Sequence, residues 1–155
     1  MDSLLILPCR FIVPGQFGDF MYMKDLPKYK KTLFIFNDNV ESKYSTCPGA
    51  GNAVMRQFNW NSCRPPRSHG IPTGHNGFGF SKLDKRTKEY IDASIKEIEY
   101  ILKLYRDSYD CVAYSTNVDP LSHEFPLIGQ SIFKIDDAIR LYITNCIWKL
   151  KKINE

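Results

Sequence analysis

Three short stretches carry residues whose types and spacing could do chemistry, and two of them suit phosphate binding. Asn37-Asp38-Asn39 closes the apolar run 32–36, TLFIF. In the segment 47–58, CPGAGNAVMRQF, the small residues Gly49, Ala50 and Gly51 directly precede a stretch that reads as a helix, and Asn52 opens it. The segment 70–80, GIPTGHNGFGF, holds glycines at 70, 74, 77 and 79 together with Thr73, Phe78 and Phe80. Small residues cost stability inside regular structure and are useful where the backbone bends sharply or another molecule must come close. The N–H groups at a helix start lack helical partners and can hold a phosphate. Two such loops, each after a strand-like run and before a helix, could clasp a diphosphate from both sides. Two plain turns without a ligand are the even alternative.

The elements that would position these loops follow from hydrophobic pattern. Residues 3–13 offer one strand, ended by Pro14-Gly15, and 32–36 a strand buried on both faces. Two helical turns follow Gly51, and 59–68, with Pro65-Pro66, is loop. A very short strand can end at Pro72, leaving a flexible glycine-rich loop to residue 80. Ile91, Ile95, Ile98, Leu102 and Tyr105 step by four, three, four and three, which predicts a helix with one apolar stripe. Ser81 or Asp84 can cap it, the pair resembling a capping box. Residues 110–115 read as another buried strand, 129–135 as a short strand or turn, and 136–152 as a helix with Ile139, Ile143, Cys146 and Leu150 on one face. Asp136 and Asp137 suit its start. Strands alternating with helices predict α/β architecture, and in open α/β sheets ligands bind at the carboxyl ends of the strands. The asparagine turn and the first glycine loop both fall there.

Composition narrows the function classes. A chain of 155 residues supports one domain with a core. A net charge of +4 does not by itself argue for nucleic acid, and the lysine clusters at 28–31 and 149–152 read as solvated faces. Five cysteines without a CxxC pair suggest free thiols in a reducing compartment, a cytoplasm of the cell itself or of a host. Cys63, His69 and His75, spaced by six, fit no zinc pattern. The apolar start is interrupted by Pro8 and Arg10 and reads as neither a secretory signal nor a membrane span. There is no Walker sequence, GxGxxG or GxSxG. His123 beside Glu124 could supply a base, but a solvated loop histidine is the favoured reading.

FIFNDN followed by PGAGNAVM resembles the macrodomain pattern, in which a strand ends in an asparagine-containing turn and a glycine-rich loop opens a helix. GIPTGHNGFGF, followed by an amphipathic helix and VAYS, is similar to the second half of that fold. Gly18-Asp19-Phe20 is similar to the family's Gly-Asp-Ile element. A looser resemblance is to bacterial and phage macro-like proteins of unassigned function, which carry an FxFGxN strand end and a GIPT segment. The resemblance implies one macro-like domain over 1–155, a three-layer sandwich with a mixed central sheet and helices on both faces. It implies ADP-ribose or a related nucleotide as ligand, free or on a modified macromolecule; no cofactor, metal or membrane is expected. Carried over, Asp19 would bond the adenine amine, and Asn37 and Asn39 would lie near the distal ribose. Gly49, Ala50 and Gly51, with Asn52 after them, would wrap the first phosphate side. Thr73, Gly74, Gly77 and Phe78 would close over the diphosphate and ribose. For hydrolysis, Asn39 would orient a water and Asp38 act as base, unless Asp38 only caps the turn.

Several features depart from that pattern. About twenty residues separate the two loops, where the family has a strand–helix–strand unit. The turn is NDN rather than Asn-Ala-Ala-Asn, and Pro72 replaces a serine. Two other readings compete. One is an interaction module with no small ligand; the other is an RNA-binding protein using lysines 28–31 with exposed aromatic rings, which the mild charge does not favour.

Overall fold

The TLFIF run forms the middle of a sheet because its side chains alternate between two apolar layers. Leu33 and Ile35 belong to one buried cluster, Phe34 and Phe36 to the other. The computed structural model describes residues 3–119, 121–130 and 134–155. It is an α/β protein with a mixed five-stranded sheet. The strands are β1 (Leu5–Cys9), β2 (Thr32–Asn39), β3 (Ser68–His75), β4 (Phe78–Gly79) and β5 (Cys111–Ser115), in spatial order β1-β5-β2-β3-β4. The first four in that order run parallel, and β4 returns antiparallel from β3.

Helices α2 (Lys85–Leu104) and α3 (Asp137–Lys149) supply the larger cluster, which includes Ile91, Ile98, Ile101, Ile139, Ile143 and Ile147. The stripe read from the sequence is the buried face of α2, except that Tyr105 caps its end and is only partly buried. Asp84 is the N-cap, accepting the Thr87 N–H at 2.9 Å, and Ser81 stands outside the helix. Asp136 caps α3 in the same way, through the Ala138 N–H. In α3, Ile147 rather than Cys146 completes the buried face. The second cluster, Cys9, Phe20, Met23, Phe34, Phe36, Met55 and Ala113, lies under the short helix α1 (Phe20–Met23) and a 3-10 helix, Gly51–Phe58.

Three expectations are corrected. The first strand stops at Cys9, and Phe11, Ile12 and Val13 are exposed. The segment 70–80 is not a flexible loop: β3 runs through it to His75. A two-residue hairpin turn follows, with positive φ at Asn76 (49°) and Gly77 (81°). Asn-Gly is the pair that such a turn requires. The turns after Gly51 wind as a 3-10 helix, Gly and Asn being weak α-formers at its start. The strand or turn expected over 129–135 lies partly outside the described residues; Ile128 makes one antiparallel bridge to Thr116. All five cysteines are unpaired. Among the described residues no helix is long and apolar enough to cross a membrane.

One buried charge cluster ties β3 to α2. Glu97 receives Lys43, contacts His69 Nε2 at 3.0 Å, and accepts the Tyr44 hydroxyl at 3.0 Å. Burial pushes the Glu97 carboxyl up, but the hydrogen bonds from His69 and Lys43 outweigh it and bring it from 4.5 down to about 2. A depressed folded-state value stabilises the fold above the ordinary value and is lost as pH falls. The melting temperature should therefore drop between pH 4.5 and about 2, and Glu97→Gln should flatten that segment of the profile. Parallel acid profiles for the two proteins would remove this cluster as the cause.

Candidate functional site

The carboxyl ends of β2, β3 and β5 surround a cleft of ≈ 450 Å³. The loop at Gly49–Ala53 forms one wall. The β3–β4 hairpin, with Thr73, Gly74, His75, Gly77, Phe78 and Gly79, forms the other. Asn37, Asp38 and Asn39 lie between them, and Ser115, Asn117, Gly129 and Gln130 close the β5 side.

In the glycine loop the first helical bond is Ala53 N–H to the Ala50 carbonyl, at 3.1 Å. The N–H groups of Ala50, Gly51 and Asn52 precede it and have no intrahelical acceptor. Gly51 has φ +56°, and a Cβ there would meet nothing within 4 Å, so its backbone faces open space. Gly49 is small for a different reason: its Cβ would lie 3.0 Å from Ala53 Cβ and 3.0 Å from the Arg56 guanidinium.

Asn52 holds the loop in place with three hydrogen bonds. Its Nδ2 donates to the Gly18 carbonyl and to Ser115 Oγ, both at 2.9 Å, and its Oδ1 accepts the Phe20 N–H at 2.9 Å. The amide thereby binds the turn at Gly18, the end of β5 and the glycine loop to one another; only its backbone N–H is left for a ligand. Asp19 caps α1, accepting the N–H groups of Met21 at 3.1 Å and Gly15 at 2.8 Å, and is not among the residues that line the cleft.

Asp38 is placed differently from a base. Its side chain is fully buried, both oxygens face Arg56, and Oδ1 also accepts the Asn39 N–H at 2.8 Å. Arg56 in turn donates to the Cys47 carbonyl at 3.1 Å. The pair thus locks the end of β2 to the start of the glycine loop, and Asp38 is not open to a water in the cleft. Gly70 makes room for it, since a Cβ there would fall 2.7 Å from Asp38 Oδ2.

Asn39 accepts the Ser42 N–H at 2.8 Å through Oδ1, and its Nδ2 has no acceptor among the described residues. Asn37 donates to the Gly129 carbonyl at 2.6 Å, while its Oδ1 is buried with no partner. Thr73 spends its hydroxyl on the Asp38 carbonyl at 3.2 Å. Phe78, 73% exposed, and Phe11, 39% exposed, both line the cleft.

The structure brings Asn37, Asp38, Asn39, Gly49, Ala50, Gly51, Asn52, Thr73, Gly74, Gly77 and Phe78 to one cavity and leaves Asp19 beside it. Sequence reading missed Arg56, Phe11, His75 and Ser115. Ser115 was within reach, because it ends β5 and parallel strands deliver their carboxyl ends to the same side. No family model, curated sequence or solved structure matches this chain.

Proposed function

We propose that the chain is a divergent macro-like domain, its sheet sandwiched between helical layers, whose cleft binds ADP-ribose or a close nucleotide relative. The observation that carries this reading is that the two glycine-bearing segments face each other across one cavity. The diphosphate would lie against the N–H groups of Ala50, Gly51 and Asn52. A flat ring would stack on Phe78 or Phe11. The distal ribose would reach Asn37 Oδ1 and Asn39 Nδ2, two amide atoms without partners among the described residues. If the cleft also hydrolyses its ligand, Asn39 keeps the role of orienting a water. Asp38, paired with Arg56, does not supply the base. His75, exposed on the hairpin and lining the cleft, is the better placed proton acceptor.

Calorimetric titration with ADP-ribose tests the reading. Saturable heat is expected, lost in Gly51→Glu, which would put a carboxylate into the phosphate position. A folded wild-type protein giving neither heat nor a thermal shift would eliminate ADP-ribose as the ligand.

A further inference from the structure

One buried oxygen at the cleft is left bare, and its surroundings fix what it can bind. Buried side-chain oxygens and nitrogens are as a rule hydrogen-bonded. Among the described residues Asn37 Oδ1, Thr32 Oγ1, His69 Nδ1 and Ser94 Oγ are not, and of these four residues Asn37 alone lines the cleft. The Asn37 amide cannot turn over to use its oxygen elsewhere. Its Nδ2 donates to the Gly129 carbonyl at 2.6 Å, and the reversed amide would set oxygen against oxygen. The Gly129 carbonyl is itself held. The Gln130 N–H of the same peptide donates to Asn117 Oδ1 at 2.7 Å, and the Gly129 N–H donates to the Ser115 carbonyl at 2.8 Å. Asn37 Oδ1 is therefore a fixed acceptor that calls for a donor on the ligand.

The charges of the cleft leave no place for an anion beyond the diphosphate. Among the described residues Arg56 is the one arginine or lysine in its lining, and its bonds are spent on Asp38 and, at 3.1 Å, on the Cys47 carbonyl. The Asp38 carboxylate offsets its charge. The other basic group in the lining, His75, stands exposed on the hairpin. A diphosphate would rest on the neutral N–H groups of the glycine loop, so no free arginine or lysine meets a further phosphate, which is where such groups are usually held. Near Asn37, Asn39 offers Nδ2 as a donor. An acceptor and a donor together match hydroxyl groups, each of which can play both parts. An ionised phosphate only accepts, and would meet Asn37 Oδ1 acceptor to acceptor.

We propose that the cleft selects its ligand by the distal end: it takes a nucleoside diphosphate ribose whose distal hydroxyls are free and rejects one that carries a phosphate there. This rests on the reading of the cleft as an ADP-ribose site and narrows its ligand class. Asn37 is the residue that sets the selection, through the oxygen that Gly129 holds in place. Asn39 supports it with the complementary donor. The diphosphate makes no use of either amide, so the selection acts on the distal sugar alone.

The test is calorimetric titration of the full chain with ADP, ADP-ribose and ADP-ribose 1″-phosphate, at about pH 8, where an ordinary imidazole carries no charge. ADP-ribose should bind more tightly than ADP, and the 1″-phosphate about tenfold or more weaker than ADP-ribose. Asn37→Ala should weaken ADP-ribose about tenfold, leave ADP unchanged, and bring ADP-ribose and its 1″-phosphate closer together. The comparison of the three ligands on the wild-type protein stands even where the variant does not fold. A 1″-phosphate that binds as tightly as ADP-ribose, or more tightly, overturns the proposal and leaves the ADP-ribose reading intact. A folded Asn37→Ala that loses ADP and ADP-ribose alike overturns Asn37 as the selecting residue. No heat from either ADP or ADP-ribose with folded wild-type protein overturns the reading of the cleft, and the selection with it.

Discussion

Arg56→Ala should destabilise the protein by about 3–5 kcal/mol, because it leaves the fully buried Asp38 carboxylate without its counter-charge. The same change frees the Cys47 carbonyl and releases the start of the glycine loop from the end of β2. The urea midpoint should fall accordingly, with its slope unchanged. Asp38→Ala should cost a similar amount, and the double variant clearly less than the sum of the two, since each single change already breaks the pair. A loss below about 1 kcal/mol for Arg56→Ala would be typical of an exposed pair and would contradict the burial described here. The experiment also separates two roles for Asp38. A base would be felt in turnover and hardly in stability; a locked ion pair is felt first in stability.

Gly18→Ala should be nearly as damaging, by about 3 kcal/mol. Gly18 has φ +103°, outside the range of ordinary side chains, and an added Cβ would lie 1.9 Å from the Arg10 carbonyl oxygen. Neither conflict can relax alone, because Asn52 holds the Gly18 carbonyl and the Phe20 N–H together. The turn must move, and with it Asn52, which fixes the glycine loop. On the proposed function, ADP-ribose binding should weaken even at temperatures where the variant remains folded. Thermal melts and calorimetry on the same sample check both parts. An unchanged melt would mean that the turn adapts more easily than its packing allows. Unchanged affinity in a destabilised variant would mean that the turn does not govern the loop.

Periodic patterns made α2, α3, β2 and β5 readable, since a repeat of 3.6 or an unbroken apolar run reports burial from local residues alone. The hairpin was missed because glycine density was weighed above the specific pair Asn76-Gly77, whose positive φ values are the stronger signal. The cavity-forming loops were legible as loops, and their convergence followed from the parallel-sheet rule. The roles of individual side chains were not. Asp38 and Arg56 are paired across the end of β2 and the glycine loop, and no local pattern announces such a pair. Asn52 could be placed in the loop from sequence, but not as the residue that ties three segments together. Asp19 had the type expected of a ligand contact, and the structure engages it in capping α1.

The order of the strands has a further consequence, for how the molecule behaves in company. β1 is an outer strand along its whole length, and β4 covers only Gly74 and His75 of β3. Uncovered parallel strands invite another chain to extend the sheet. The open side of β1 carries a proline, Pro8, whereas β3 is buried from Ser68 to Gly74. Leu5 N–H and the Cys9 carbonyl both face β5, so by the two-residue alternation the Pro8 nitrogen lies on the open side, where it has no hydrogen to donate. Pro8 thereby leaves β1 a poor template for a sixth strand.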